Sequence, residues 1–494
     1  MNKKGFDNEK YITMQSEHIR ERIGKFGGKL YMEFGGKLFD DYHASRVLPG
    51  FQPDSKIRML AQLKEDVEIV VAINAGDIEK NKVRGDLGIT YDMDVLRLID
   101  AFHSYGFYVG SIVLTRFDSS ETVLSYQAKL ESLGLKVYRH YSIPGYPSNI
   151  PLIVSEEGYG KNDYIETRHP LVVVTAPGPG SGKMAVCLSQ LYQDHMHGVK
   201  AGYAKFETFP IWNLPLQHPV NLAYEAATAD LNDVNMIDPF HLEAYGQMTV
   251  NYNRDVEVFP VLREVFKKIY GESPYQSPTD MGVNMAGNCI TDDEACCHAA
   301  KQEIIRRYYK EKVELRKGNG AGSAVEKIEL LMNKSEIRVQ DRPVVGAANT
   351  KAEMTGEPAA AIELPDGTIV TGKTSPLMGA SSAAILNALK VMAGVDDSVL
   401  LIAQSIIEPI HLLKVERLGH HNPHMHINEM LIALTICAET DQNAKAAIDK
   451  IGSLAGCEVH SSVILSQEDA NTFQRLGVHL TCEPRYQTGK LFHT

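Results

Sequence analysis

Four stretches of the sequence carry residue types at spacings that suit chemistry. The first is LVVVTAPGPGSGKMAV, residues 171–186. An apolar run ends in a glycine-rich turn, and a lysine heads a helix-forming segment. In that order, backbone N–H groups and the positive end of a helix are aimed at a phosphate. Gly178, Gly180, Ser181, Gly182 and Lys183 are the candidate binding residues, with Lys183 neutralising charge on the anion. The spelling departs from the usual phosphate loop: Pro177 stands where its first glycine belongs, and Met184 replaces the Mg²⁺-ligating hydroxyl. A thioether is a poor ligand for so hard an ion. The alternative is a glycine-rich connection that binds nothing.

The second stretch, LPDGTIVTGKTS, fits the letter pattern through Gly367, Gly372, Lys373 and Thr374. Its intervening Thr-Ile-Val-Thr favours extended backbone, and Leu-Pro-Asp-Gly is a turn signal. A β-hairpin is expected there, not a phosphate loop. The third stretch, ATADLNDVNMIDPFHLEAYG, packs Asp230, Asp233 and Asp238 into nine residues. Clustered acids near a phosphate suit Mg²⁺, although capping and turn formation account for Asp equally well. Lys205, at the end of the strand-like AGYAKFETF, is placed to clamp a second anionic group.

The fourth stretch, RLGHHNPHMHINEM, holds His420, His421, His424 and His426, with Glu429 close behind. Pro423 prevents a helix through it, so the paired histidines of a zinc-protease helix are not formed. No Pro-Cys-x-x-Cys of a deaminase follows. A polar loop contributing one imidazole, His424, to a substrate pocket is the reading adopted, with a metal site as the alternative. Cys296, Cys297 and His298 are adjacent on a helical segment, where neighbouring cysteines point apart; zinc is not expected.

These residues need elements to position them. From about residue 66, apolar strands alternate with amphipathic helices, as in VEIVVAINAGD, DMDVLRLIDAFHSYG, YVGSIVLTRF and SSETVLSYQAKLESLG. KVYRHYSI, IPLIVS and PLVVVTAP read as further strands. This alternation predicts an α/β fold with a mostly parallel sheet covered on both faces, Rossmann-like or P-loop-like. Ahead of it Phe-Gly-Gly-Lys-Leu occurs twice, at 26–30 and 34–38, and reads as a hairpin with two glycine bends. The organisation expected is an α/β phosphate-binding domain over residues 1–240, a helical subdomain over 241–335 and a C-terminal α/β domain over 336–494. Ser323 and Glu326 have capping-box spacing, and Gly379 to Ser382 could open a helix.

At 494 residues the chain is too long for one core, and its net charge of -12 argues against a nucleic-acid partner. No run is long enough to span a membrane, no secretory h-region opens the sequence, and seven scattered cysteines suit a reducing, cytoplasmic setting. Homo-oligomerisation is expected from size alone.

RHPLVVVTAPGPGSGKMAVCLSQLY, KFETFPIWNLPLQHPVNLAYEAATADLNDVNMIDPFHLEAYG and GHHNPHMHINE together resemble an uncharacterised bacterial family, catalogued only as a domain of unknown function with N- and C-terminal parts. The resemblance implies a multi-domain α/β protein with an added helical region and supplies no activity. Some members have been labelled ATP-dependent zinc proteases, but this sequence has no His-Glu-x-x-His. The leading expectation is an enzyme using ATP or GTP with Mg²⁺ for phosphoryl transfer or ligation on a small metabolite. Lys183, Lys205 and His424 are its expected catalytic residues, and Asp230, Asp233 and Asp238 its expected metal ligands. The alternatives are a non-catalytic nucleotide or phosphometabolite sensor, and a metal-dependent hydrolase built on the histidine loop.

Overall fold

The computed structural model describes residues 4–84, 87–420 and 422–488, so His421 lies outside the described residues. The chain forms two compact units, Lys4–Glu225 with Asp233–Cys297, and Ala226–Asn232 with the chain from His298 onward. The helical stretch 241–335 is therefore divided between them. Among the described residues, no helix is long and apolar enough to cross a membrane.

The first unit is built on seven strands, β1 (Leu30–Phe34), β2 (Val67–Asn74), β3 (Tyr108–Thr115), β4 (Val137–Arg139), β5 (Leu171–Thr175), β6 (Gly202–Phe206) and β7 (Gly282–Val283). Their order is β7-β6-β1-β5-β2-β3-β4 and every pairing is parallel. Strands buried on both faces need apolar side chains throughout, and β2 and β5 supply them. Tyr31, Val70, Val113, Val172, Val174 and Tyr203 form one core with helices Lys183–Met196 and Asn253–Tyr270. Side chains alternate along a strand, so Glu33 and Lys205 share this face with Tyr31 and Tyr203.

Two local expectations fail in this unit. The repeated Phe-Gly-Gly-Lys-Leu is not a hairpin: its middle is β1, in parallel between β5 and β6. Gly27 and Gly28, at positive φ, end helix Asn8–Lys25, while Gly35 and Gly36 follow the strand. The partners of β1 lie more than a hundred residues away, so local spacing could not reveal them. IPLIVS is not a strand either. Asn149 caps a short helix, Ile150–Ile153, and a proline in its first turn removes a donor that the helix does not use.

The second unit holds β8 (Ala359–Glu363), β9 (Ile369–Lys373), β10 (Glu458–Ser461) and β11 (His479–Cys482), in the order β9-β8-β10-β11. β8 and β9 are the expected hairpin, closed by Leu364 N–H to Thr368 O with Gly367 at φ 86°. Helix Ala380–Met392 begins where expected, with Gly379 as its cap. Helix Gly322–Lys334 instead takes Ala321 as its cap, so Ser323 already lies inside it.

This unit also encloses an ion network. Arg342 is fully buried against Glu458, Thr481 Oγ1 (3.1 Å) and the carbonyls of Val459 (3.1 Å) and His479 (2.7 Å). Arg306 bridges Glu303 (2.8 Å) and Glu458 (2.5 Å). Burial alone would raise the Glu458 carboxyl, but Arg306 and Arg342 outweigh it and hold it far below the ordinary carboxylate range.

Candidate functional site

The connection leaving β5 runs to β6 on one side of the sheet, whereas that leaving β2 runs to β3 on the other. Adjacent β5 and β2 thus form a switch point, where ligands of open α/β sheets bind beyond the carboxyl ends of the strands. The loop 176–182 lies there. Asn74, the last residue of β2, donates to Gly180 O (3.3 Å), and Thr115, the last of β3, donates to Ser181 O (2.8 Å). Ser181 Oγ bonds to Gly178 O (3.0 Å), so this hydroxyl braces the loop. Gly180 and Gly182 have φ of 77° and 83°, backbone that strains any residue with a Cβ.

A Cβ on Gly178 would fall 2.2 Å from Tyr91 Oη. Because that ring is packed rather than dangling, Gly178→Ala is expected to cost about 1–3 kcal/mol by overcrowding. Thermal unfolding of the variant reads this directly; an unchanged midpoint would mean that Tyr91 does not wall the loop.

Lys183 opens helix Lys183–Met196, and among the described residues its Nζ has no hydrogen-bond or ion-pair partner. One turn further, burial raises the Cys187 thiol, Glu33 adding to the shift and Lys183 opposing it. Lys183 and Glu33 therefore act in opposite directions on the same buried thiol. Glu33 sits opposite Lys205 in the β1–β6 register and accepts from Tyr203 Oη (2.7 Å).

Lys205 does not reach outward for an anion. Its Nζ is held by Asp255 (2.6 and 2.7 Å) and Glu207 (3.2 Å), 5.5 Å from the centroid of the Tyr252 ring. Burial would strip its proton, but Asp255, Glu207 and Glu33 together push its pKa up. Glu207 is pushed up to about 7 by burial, with Lys205 opposing and Asp255 and Glu33 adding. The second Gly-Gly step makes room for this group: a Cβ on Gly35 would fall 2.8 Å from Glu207 Cγ.

A carboxyl raised in this way prefers its proton in the folded state. Its stabilising contribution is complete below the ordinary 4.5 and is lost as pH rises through about 7. Infrared difference spectra of wild type against Glu207→Gln should show a protonated carboxyl band that vanishes with a midpoint of about 7. A midpoint in the ordinary carboxylate range would remove Glu207 as a proton carrier at neutral pH.

Two further groups border this edge. Arg116 follows β3 at φ 47°, a rare conformation for a side-chain-bearing residue. Burial and Glu33 raise the Tyr146 phenol, and Arg116 opposes them. Sequence reasoning missed Glu33, Arg116, Tyr146 and Asp255. Glu33 did leave a trace, a carboxylate inside the apolar strand LYMEF.

Two of the expected magnesium acids have other partners. Asp233 is ion-paired with Arg254, its Oδ2 accepting from Nη2 (2.8 Å) and its Oδ1 lying 2.6 Å from Nε. Asp238 caps helix Pro239–Tyr245 through Phe240 and His241 N–H, and its other oxygen accepts from Thr279 N–H (3.2 Å) and Oγ1 (2.7 Å). Asp230 is an exposed residue of the second unit. With these oxygens engaged and a thioether at position 184, the donor set does not fit Mg²⁺.

His424 belongs to the second unit, where burial and the nearby His411 and Lys414 lower its pKa. His426, rather than His424, has a carboxylate partner: Asp469 accepts from its Nδ1 (3.0 Å) and raises it. Lys414 ties the loop down through His424 O (2.7 Å) and Glu429 (2.8 Å).

Two family models, Domain of unknown function DUF1846, N-terminal and C-terminal, match residues 4–336 and 340–492. The chain belongs to the DUF1846 family. It is 58% identical over 489 residues to UPF0371 protein cu0538 of Corynebacterium urealyticum, covering 99% of this chain and 98% of that protein. It is equally 58% identical over 487 residues to UPF0371 protein SpyM50764 of Streptococcus pyogenes serotype M5, covering 99% of each. The family relation thus runs end to end in this DUF1846 chain, and the site at the sheet's carboxyl edge lies wholly within the part matched by the N-terminal model.

Proposed function

We propose that this DUF1846 protein is an enzyme that binds a nucleotide, ATP or GTP, or another phosphorylated small metabolite at residues 178–183, and uses it for phosphoryl transfer or ligation. The observation that carries this reading is Lys183, a cation without a partner among the described residues, at a helix start beside a glycine loop at the sheet's switch point. Backbone N–H groups of the glycine loop, the positive end of helix Lys183–Met196 and the Lys183 ammonium are the groups that would attract a phosphate there. Glu207, titrating near neutrality beside Lys205 and Asp255, supplies a proton donor and acceptor for an acceptor group.

In this reading Lys205 positions and tunes Glu207 instead of clamping the ligand. The proposed partner is an anionic small molecule and not a nucleic acid, in keeping with the net charge of -12. All seven cysteines are free thiols, which suits the cytoplasmic setting we propose.

A second reading, a nucleotide or phosphometabolite sensor without turnover, is favoured by Met184 and by the engaged oxygens of Asp233 and Asp238. Calorimetric titration with ATP, GTP and ADP, with and without Mg²⁺, separates the two. Saturable binding followed by turnover with an acceptor screen supports the enzyme. Binding indifferent to Mg²⁺, with no turnover, supports the sensor. No binding of any of the three would overturn the nucleotide reading.

A further inference from the structure

Away from the phosphate site, His218, Asp293 and Cys297 bring three different donor atoms together, all within 4.8 Å of one another. His218 Nε2 lies 3.0 Å from Asp293 Oδ1 and 3.5 Å from Cys297 Sγ, and Cys297 Sγ lies 3.7 Å from Asp293 Oδ2. The geometry points to a zinc site with three protein ligands and a fourth position for water.

The distances carry the argument. Zinc bonds of about 2.3 Å to sulfur and about 2.0–2.2 Å to nitrogen and oxygen give tetrahedral edges of about 3.3 Å for N···O and about 3.5 Å for edges to sulfur. The two separations from Nε2, to Asp293 Oδ1 and to Cys297 Sγ, lie within about 0.3 Å of those edges, and the sulfur meets the same carboxylate through its other oxygen, so a turn of the Asp293 side chain brings one donor from each residue around an ion without moving the backbone. A thiolate, an imidazole and a carboxylate form a borderline-soft donor set that suits zinc better than Mg²⁺ or Ca²⁺. Their two negative charges balance the dication.

A nucleophilic Cys-His-Asp triad does not explain the cluster. In a triad the carboxylate holds Nδ1 and the nucleophile faces Nε2. Here Asp293 and Cys297 both face Nε2, while Nδ1 accepts the N–H of Val220 at 3.3 Å. On metal binding the ring proton moves from Nε2 to Nδ1, giving up that long contact, and the Cys297 thiol releases its proton to solvent. The adjacent Cys296 takes no part: its thiol donates to Gly5 O (3.4 Å), as expected for neighbours that diverge on a helix.

The test uses the full chain, stripped with a chelator and titrated with Zn²⁺ against a chromophoric competitor, and separately with Co²⁺. One equivalent of each should bind, and cobalt should show thiolate charge-transfer absorption. Cys297→Ser should abolish that absorption, and Cys297→Ser and Asp293→Asn should each weaken zinc by at least about tenfold. His218 is left unchanged because its Nδ1 also receives the Val220 N–H. Circular dichroism of the variants controls for folding. Sub-stoichiometric metal, or full zinc affinity in both folded variants, would overturn the assignment; the second result would move the ion elsewhere, with the histidine loop the first place to look.

Discussion

Lys183→Ala should weaken ATP and ADP binding by about 10- to 100-fold, the equivalent of one charge-assisted hydrogen-bonding cation at about 1.5–3 kcal/mol. The same variant should unfold within about 2 °C of the wild type, because the side chain has no hydrogen-bond or ion-pair partner among the described residues. That separation of affinity from stability gives the test its force. A structural lysine would lose both together, and an idle surface lysine would lose neither. Lys183→Arg keeps the charge and should retain most of the affinity, although its planar fork reaches further than an ammonium. The wild-type affinity should also fall with added salt, since an ammonium partly open to solvent is screened. Unchanged affinity in Lys183→Ala would remove the loop's cation from the binding site and leave backbone N–H groups as its only attraction for an anion.

The largest effect on stability should come from Glu458→Gln. Glu458 is the carboxylate shared by Arg306 and the fully buried Arg342. Replacing it with a neutral amide leaves Arg342 dependent on Thr481 and two carbonyls, none of which carries a compensating charge. Breaking one side of a buried ion pair costs about 3–5 kcal/mol. At about 2–4 °C per kcal/mol for a unit of this size, the thermal midpoint of the second unit should fall by roughly 6–20 °C.

The pH dependence has a definite sign. The folded carboxyl lies well below its ordinary value, so its contribution is present above 4.5 and is lost as pH falls from there towards the depressed value. Wild type should therefore lose stability in acid more steeply than Glu458→Gln, and the two curves should converge at low pH. Parallel acid curves would show that the network does not depend on this charge.

Much of the fold was legible because its signals are local. β5, the glycines after it and the helix from Lys183 are contiguous, so strand propensity, turn chemistry and helix periodicity all read out of one short segment. The hairpin of β8 and β9 was legible for the same reason: Asp366 and Gly367 specify its turn, whatever the rest of the chain does. Even the departure at Met184, which bears on how magnesium could be held, was visible as a letter.

Partnership across long separations was not. Type and spacing suit Asp233 and Asp238 to a metal, whereas in the fold Arg254 and Thr279 lie on their oxygens. Its place at a strand end suits Lys205 to an anion, whereas in the fold Asp255 and Glu207 hold it. Glu33 meets Lys205 only because β1 and β6 lie side by side in register, and His218 meets Cys297 across a gap of 79 residues. The sequence alone determined where backbone turns, caps and exposes N–H groups, since those preferences are set by a residue and its nearest neighbours. Which charges are spent on one another, as Lys205 is on Asp255 and Glu207, was decided by the tertiary structure. A charge's partner and its burial depend on which distant segments pack against it.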